Sequence, residues 1–395
     1  MNYYHKYLKY KYKYFSLKNK YQYAGEKMAT SIGLDIEFGI PKNTITDANN
    51  NLTINLYENL EGASNLFSPI SITFVLSLLD LAAIGSTDEQ LIRFLNYKYS
   101  LDDLENLYTM FNNNIMKINI MFIINNKKIN NEYLNMIKKM VFIINENLDD
   151  TTLISEKINY YIKKKTGGII KNIIKPLDID NNISFILVNA IYFKASWQYK
   201  FNINNTTKMK FHKTINNVVD MMHQNNYFNY YENDTIQIVE LPYNDNNYVM
   251  GIILPKKYLT ETDLEYDINN IPNFTVSEIN EFINNTQLKK IHLYIPKFIH
   301  RKNIQLVPIM KKMGIIDLFS SQNAQLDLMA KNIHVSKIIH EVVVIVDEAG
   351  TDSATIALPL KEEKSTLFKA DHVFIYYIRY VPNNIFMFFG DYQGD

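Results

Sequence analysis

The residue types that usually carry enzyme chemistry are thinly spread in this chain. It has no cysteine among its 395 residues, which excludes disulfides, a cysteine nucleophile and a thiolate metal site. The eight histidines include no pair at metal-ligand spacing, and neither a G-x-S-x-G motif nor a glycine-rich phosphate loop occurs. The sequence therefore predicts no metal, no cofactor and no catalytic residue.

One segment indicates a different chemistry, in which the chain changes its own structure. Residues 341–347 are almost continuously β-branched, which is typical of a strand buried on both faces. The run of small residues that follows is typical of neither a strand, a helix nor an ordinary turn. Side chains 351, 353, 355 and 357 would share one face of a strand, because strands alternate faces with period 2. The pattern predicts an exposed loop that can insert into a sheet.

The composition of the chain limits the classes of function that are possible. Hydrophobic residues make up 47% of the chain, and Lys+Arg 41 balances Asp+Glu 41, so nothing favours nucleic acid or an anionic membrane as partner. The longest apolar runs are shorter than the ~18–20 residues that span a bilayer. We therefore expect neither a nucleic-acid nor a membrane partner.

The N-terminal region differs from the rest. Residues 1–27 are rich in lysine and tyrosine and lack the apolar core of a signal peptide, which favours a solvated basic extension in a cytoplasmic protein. The absence of cysteine also fits a reducing compartment, with an extracellular protein as the alternative. We divide the chain into a lead-in, 1–46, and one domain, 47–395.

Within that domain, predicted helices dominate the first half and predicted strands the second, which indicates an α+β fold. Helices are predicted near 47–57, 72–83, 90–95, 131–141, 151–165 and 304–314. Strands are predicted near 184–193, 236–241, 248–254, 289–298, 341–347, 373–378 and 385–389.

Seven segments, in this order and spacing, resemble the serpin (serine protease inhibitor) family over about residues 47–391. They are 65–71 (NLFSPIS), 187–197 (LVNAIYFKASW) with Phe201, 240–243 (ELPY), 295–298 (IPKF), 336–340 (SKIIH), 347–351 (DEAGT) and 368–372 (FKADH). Each segment alone is weak evidence for the family, but the seven together are specific to it.

The resemblance implies a fold and a mechanism. We expect a single domain with a large central mixed sheet, two further sheets, about eight or nine helices and an exposed reactive-centre loop. Such a protein is a suicide substrate: a protease attacks the loop, the loop inserts into the main sheet, and the acylated protease is distorted. We expect a monomer.

The family's spacing also implies a reactive bond. Glu348 counts as the seventeenth residue before the cut, which puts the bond at Lys364-Ser365. Lysine fits the acidic specificity pocket of a trypsin-like serine protease. The implied hinge that begins the loop comprises Glu348, Ala349, Gly350, Thr351, Asp352, Ser353, Ala354 and Thr355.

Six further positions match family residues that control opening of the sheet. Ser68, Ser71, Asn189 and His340 match a polar cluster beneath the parting strands, and Trp197 matches a residue at the top of the gap. Lys297 matches the partner of Glu348 in an ion pair where the loop begins. From the residues alone, His340 would be an ordinary buried histidine and Trp197 plain core.

Some positions depart from the family pattern. Pro359 lacks an N–H and is expected to slow complete insertion. Ser353 occupies a position where the family usually has alanine. Val373 replaces the expected proline, and Asp391 replaces the usual arginine. The segment between Leu95 and Ile120 is acidic, so we expect no glycosaminoglycan site.

Three functions remain open. The first is an inhibitor that traps a trypsin-like protease, and the second is a non-inhibitory serpin acting as chaperone, carrier or decoy. The third and least favoured is an enzyme. The heavy use of Asn, Ile, Lys and Tyr indicates an A/T-rich genome and would suit a large DNA virus of invertebrates.

Overall fold

The computed structural model describes residues 44–62, 64–179, 183–212, 217–256, 272–348 and 365–394. Residues 1–43 and most of the predicted loop, 349–364, lie outside the described residues. Within the described part, the chain forms eight α-helices and fourteen β-strands.

The helices are α1 Ile45–Asn59, α2 Pro69–Asp80, α3 Gly85–Leu95, α4 Leu101–Phe111, α5 Asn131–Ile137, α6 Thr151–Lys165, α7 Val276–Asn284 and α8 Leu306–Lys312. The strands are β1 Leu66–Phe67, β2 Met116–Asn125, β3 Val141–Glu146, β4 Phe185–Phe193, β5 Thr207–Lys210, β6 Val218–Glu232, β7 Ile236–Pro242, β8 Tyr248–Pro255, β9 Gln287–Pro296, β10 Phe298–Gln305, β11 Lys337–Val346, β12 Thr366–Lys369, β13 Phe374–Tyr380 and β14 Ile385–Tyr392.

The helix that matters most for the site is α2. It begins with Pro69 in the first turn, where a missing N–H costs no helical hydrogen bond. All twelve of its residues are buried, as its all-round apolar sequence predicts. The N-terminus of α2 is therefore fixed inside the protein, against the strands described next.

A five-stranded mixed sheet, the central sheet, has the order β10-β11-β4-β2-β3. In its middle, β11 and β4 run parallel, and Lys337 pairs with Ile186 at one end and Val344 with Phe193 at the other. Each outer neighbour of this pair, β10 and β2, is antiparallel to the strand beside it.

Both faces of the central sheet are covered, which explains the continuous apolar runs in β4 and β11. Alternate residues such as Leu187 and Val342 enter a large core that also contains α2. The residues between them, such as Val188 and Val343, face α6 in a smaller core. Successive residues of these strands therefore lie in different surroundings.

A nine-stranded sheet contains the remaining strands, in the order β1-β14-β13-β8-β7-β6-β9-β12, with β5 also on β6. The expected α+β fold with a central mixed sheet is confirmed. One detail differs, because the two further sheets are continuous in the described residues. The fifteen-residue β6 joins them by pairing with β7, β9 and β5.

Two predicted helices have wrong boundaries. The helix predicted over 131–141 ends at Ile137, and Val141 already begins β3. The helix predicted over 304–314 begins at Leu306, because Ile304 and Gln305 still pair with β11. In both cases an apolar run crosses from one element into the next, and periodicity alone does not locate such a junction.

Across the described ranges, no helix is long and apolar enough to cross a membrane.

Candidate functional site

A buried polar cluster lies where α2 begins, beneath the junction of β4 and β11. Asn189 of β4 and His340 of β11 are direct partners in the parallel register. The amide Nδ2 of Asn189 donates to Ser71 Oγ at 3.1 Å, and the backbone N–H of Ser68 donates to His340 Nε2, also at 3.1 Å. These four residues, which match one polar cluster of the family, lie together in the structure.

The hydrogen bonding of this cluster is incomplete. All four residues are fully buried, yet Ser68 Oγ and Asn189 Oδ1 have no hydrogen-bond partner among the described residues. A buried polar group without a partner costs about 1–3 kcal/mol. The arrangement therefore leaves donors and acceptors directly below the β4–β11 junction that a rearrangement could satisfy.

The charge state of His340 follows from its position. Burial lowers the pKa of His340 to about 3, although a contact with the Asn189 backbone acts in the opposite direction. A neutral ring also suits the geometry, because Nε2 must be unprotonated to accept from Ser68. His340 is therefore a neutral acceptor that ties β11 to the start of α2.

A second group of residues surrounds the end of β11. The indole N–H of Trp197 donates to the backbone oxygen of Asp347 at 2.8 Å. The indole is stacked on Tyr243, with ring centroids 4.5 Å apart and planes 10° apart, and both residues are buried. Trp197 therefore holds the chain just where it leaves the central sheet.

The next residue, Glu348, is held by two donors. Its carboxylate accepts from Lys297 Nζ at 2.6 Å and from Thr206 Oγ1 at 2.8 Å. Burial alone would raise the pKa of Glu348, but hydrogen bonds from Lys297, from its own backbone and from Thr206 hold it below the usual value. Glu348 is therefore a charged anchor at the start of the loop.

The chain returns to the described part at Ser365. It continues directly into β12, which pairs in parallel with β9 from Thr366, opposite Ile291, to Lys369, opposite Tyr294. Lys369 also forms an ion pair of 2.9 Å with Asp371. Both ends of the predicted loop are thus attached to sheet, one to the central sheet and one to the nine-stranded sheet.

The predicted site residues thus form two groups. Ser68, Ser71, Asn189 and His340 lie beneath the middle of the β4–β11 pair, and Trp197, Lys297 and Glu348 surround its loop end. Hinge residues 349–355 and Lys364 lie outside the described residues. The β4–β11 pair is closed along eight residue pairs in the described strands, so no preformed slot separates it.

Three contributors were missed by the sequence analysis. They are Thr206, Tyr243 and the backbone oxygen of Asp347. Tyr243 stands in the quoted ELPY segment, so the resemblance did mark its neighbourhood. Nothing in the sequence marks Thr206, which lies 142 residues before its partner Glu348.

The described residues contain no cluster of three or more histidine, aspartate or glutamate side chains that could hold a metal ion. The two groups around β11 are built from hydrogen bonds, packing and the Lys297–Glu348 ion pair. Such an arrangement can control how strands separate.

The family profile of Serpin (serine protease inhibitor) matches residues 47–393. A serpin-like protein of Acanthamoeba polyphaga mimivirus is 49% identical over 404 residues, covering 100% of both chains. The leukocyte elastase inhibitor of Xenopus laevis is 31% identical over 366 residues, covering 85% of this chain and 94% of that one.

Solved structures agree with this result. Uncleaved ovalbumin superposes with a TM-score of 0.78 at 25% identity, and the match covers 89% of this chain and 99% of that one. Native protease nexin-1 with heparin gives a TM-score of 0.76, also at 25% identity, over 88% of this chain.

Proposed function

The chain belongs to the serpin family, whose members are in general protease inhibitors, and from this premise we propose that it traps a trypsin-like serine protease. In this proposal the protease attacks the Lys364-Ser365 bond and is captured as the freed loop enters the central sheet. The observation that carries the proposal is the parallel β4–β11 pair, with the loop leaving from the end of β11.

The topology determines how an inserted strand would run. A loop that leaves β11 and folds back must run antiparallel to β11, and therefore antiparallel to β4 as well. Insertion would replace one parallel pair with two antiparallel pairs, which are somewhat more stable per residue. The insertion is therefore favoured by added strand pairing as well as by burial of the loop.

The lengths are compatible with such a movement. The eight-residue β4–β11 ladder spans ~26 Å at about 3.3 Å per residue. Sixteen residues, 349–364, separate Glu348 from Ser365, and eight of them, entered after a turn of a few residues, would fill the ladder. The remainder would link the inserted strand to the bound protease.

The polar cluster supports the proposal. For the loop to enter, Asn189 and His340 must move apart, because they are direct partners in the closed pair. A strand between them would bring backbone N–H and C=O groups within reach of atoms such as Asn189 Oδ1. The cluster is thus able to exchange partners as the strands part.

The target class rests on the sequence of the loop. Lys364 before the bond fits an acidic specificity pocket. Glu362 and Glu363 precede it and would exclude proteases whose binding clefts are themselves acidic. The Xenopus laevis relative is named leukocyte elastase inhibitor. This name supports inhibition of a protease but does not identify the target of this chain.

The source and state of the protein are part of the proposal. The 49% identical relative belongs to a mimivirus, which supports an origin in a large DNA virus. We propose a cytoplasmic monomer, because a chain without cysteine suits a reducing compartment.

Two measurements test this function. The full chain is incubated with trypsin and run on a denaturing gel, where a stable adduct of added mass is expected. Thermal unfolding is then compared before and after cleavage of the loop by a non-target protease. We expect the midpoint to rise by more than about 10 °C, because insertion adds buried strand pairing.

The alternative is a non-inhibitory serpin that serves as chaperone, carrier or decoy. It is favoured if trypsin cuts near Lys364 and leaves no adduct. An unchanged melting temperature after the cut would reject loop insertion altogether. Hydrolysis of a small ester or peptide by the intact protein would favour an enzyme instead.

A further inference from the structure

Away from the β11 cluster, a cavity opens between the outer part of the central sheet and the helices beside it. Its volume is about 320 Å³, and its walls come from α4, β2, the α5–β3 turn, β3 and the end of α6. Four lysines line it: Lys117, Lys138, Lys139 and Lys165. No carboxylate lines it, so every charged side chain in its lining is cationic.

Lys117 is the most informative of these residues. It is the sole charged residue of β2, a strand whose other members are almost all buried apolar side chains. Within the described chain, none of the four lysines forms an ion pair with a carboxylate. Lys117 is half-buried, and a partly desolvated lysine without a carboxylate partner would be stabilised by a bound anion.

Helix ends account for part of the positive charge. Lys138 caps α5 and Lys165 is the last residue of α6, positions where cations stabilise the negative ends of helices. Lys117 has no such role, because it lies within a strand. A ligand is therefore inferred from Lys117 and from the presence of four lysines in the lining of one cavity.

The cavity also has an aromatic wall. Phe142 and Tyr161 are stacked with centroids 4.0 Å apart and planes 19° apart, and Phe142 is 40% exposed. Lys165 Nζ lies 5.5 Å from the centre of the Tyr161 ring. A ligand that combines several negative charges with a flat ring would use both the ammonium groups and this wall.

We propose that this cavity binds a small oligophosphate, of the size and charge of a nucleoside triphosphate. Lysine ammonium groups are effective phosphate ligands, and several of them acting together favour a ligand with several phosphates over a single phosphate. The phosphate chain lies against Lys117 and the lysines of the α5–β3 turn, and a base, when present, lies against Phe142. The site is independent of the protease-trapping function.

Titration calorimetry at low ionic strength tests this site with three probes: ATP, inorganic tripolyphosphate and adenosine. We expect ATP and tripolyphosphate to bind with one site per chain and adenosine to bind far more weakly. Tighter binding of ATP than of tripolyphosphate would show that the aromatic wall contributes. Equal binding would show that the phosphate chain supplies the recognition.

Variants make the test specific. Lys117→Gln is expected to weaken ATP binding by about tenfold or more, since it removes a charge-assisted contact. Lys210→Gln, at an exposed position of β5 in the other sheet, removes the same charge and is expected to leave binding unchanged. An unchanged thermal unfolding midpoint shows that Lys117→Gln is folded.

Two results would overturn the proposal. One is the absence of binding by both ATP and tripolyphosphate. The other is an equal loss of affinity in Lys117→Gln and Lys210→Gln, which would reduce the effect to general attraction between an anion and a lysine-bearing surface.

Discussion

Burial and one backbone hydrogen bond favour the same charge state of His340. The ring is fully buried, and burial lowers its pKa to about 3. Its Nε2 accepts the Ser68 N–H that opens α2, which requires that nitrogen to be unprotonated. A proton on the ring would therefore leave two donors facing each other where β11 meets the start of α2.

We predict that acid weakens the native state through this residue. A histidine in the unfolded chain has a pKa of about 6.5. Between about pH 6.5 and 3 the unfolded chain therefore binds a proton that the native protein does not bind. Stability from the neutral ring is intact above pH 6.5 and falls as the pH is lowered. The loss at pH 5 is about 2 kcal/mol, measurable as a shift of the urea unfolding midpoint between pH 7.5 and 5.

His340→Gln is the matched variant. Glutamine can present an oxygen to the Ser68 N–H but does not titrate, so the variant should be less stable at pH 7.5 and less sensitive to acid than the native chain. The carboxylates common to both proteins contribute equally and cancel in the comparison. Identical pH dependence in the two proteins would contradict the assignment.

At the residue level, sequence reasoning found side chains and missed backbone partners. It grouped Asn189 with His340, and it paired Lys297 with Glu348, because the resemblance marks positions. It could not find that His340 accepts from the Ser68 backbone, or that Trp197 donates to the Asp347 oxygen. Such bonds depend on backbone positions, which no residue type specifies.

At the level of elements, the proposed movement concerns one strand pair. Tyr192 of β4 and Val343 of β11 are partners near the loop end of the parallel ladder, and both side chains face α6. A loop entering between β4 and β11 meets this pair second, directly after Val344 and Phe193. Joining these two positions would hold the strands together without touching the loop.

We predict that a Tyr192→Cys, Val343→Cys double variant, once oxidised, loses protease trapping and is cut as a simple substrate. Partners in a sheet have Cα separations that a disulfide can bridge, and the chain has no other cysteine that could pair wrongly. The denaturing gel with trypsin should show the cleaved chain and no adduct. Cleavage should no longer raise the melting temperature.

Reduction is the internal control for this lock. Double variant that is reduced before the protease is added should form the adduct again, and each single variant should form it in either redox state. Trapping by the oxidised double variant, with the disulfide verified by mass, would show that β4 and β11 need not part.

The elements themselves were predictable to different degrees. Strands such as β4 and β11 were found because burial on both faces leaves a largely apolar run rich in β-branched residues. The edge strand β3 was not predicted, apart from Val141 at the end of a predicted helix, and β6 was missed because its exposed positions are mainly polar. A strand with one solvent-exposed face and a largely polar sequence shows little hydrophobic alternation by which it could be predicted.

At the scale of the whole molecule, trapping is a race between two processes. The loop is attached at one end to the central sheet through Glu348 and at the other to the nine-stranded sheet through β12. Once the bond between them is cut, insertion competes with hydrolysis of the acyl-enzyme. The fraction of protease trapped depends on which process is faster.

Pro359 should slow loop insertion relative to hydrolysis of the acyl-enzyme. Counted from Glu348, it would enter after the small residues at 351, 353, 355 and 357, and it offers no N–H to either neighbouring strand. One missing ladder hydrogen bond costs about 1 kcal/mol, which corresponds to about fivefold in rate if it is felt in the transition state. Some of the inhibitor should therefore be cleaved and released without trapping.

We predict that Pro359→Ala lowers the number of inhibitor molecules consumed per protease trapped. Alanine supplies the missing N–H and is small enough for either face of the sheet, so insertion is faster while the cleaved bond is unchanged. The measurement is titration of residual trypsin activity against inhibitor concentration, with adduct and cleaved chain quantified on the same gel. Leu358→Ala is the matched control, because it trims the neighbouring side chain and leaves the backbone donors as they are. If both variants consume as much inhibitor as the native chain, strand pairing at position 359 does not limit trapping. The protease would then be trapped before residue 359 enters the sheet.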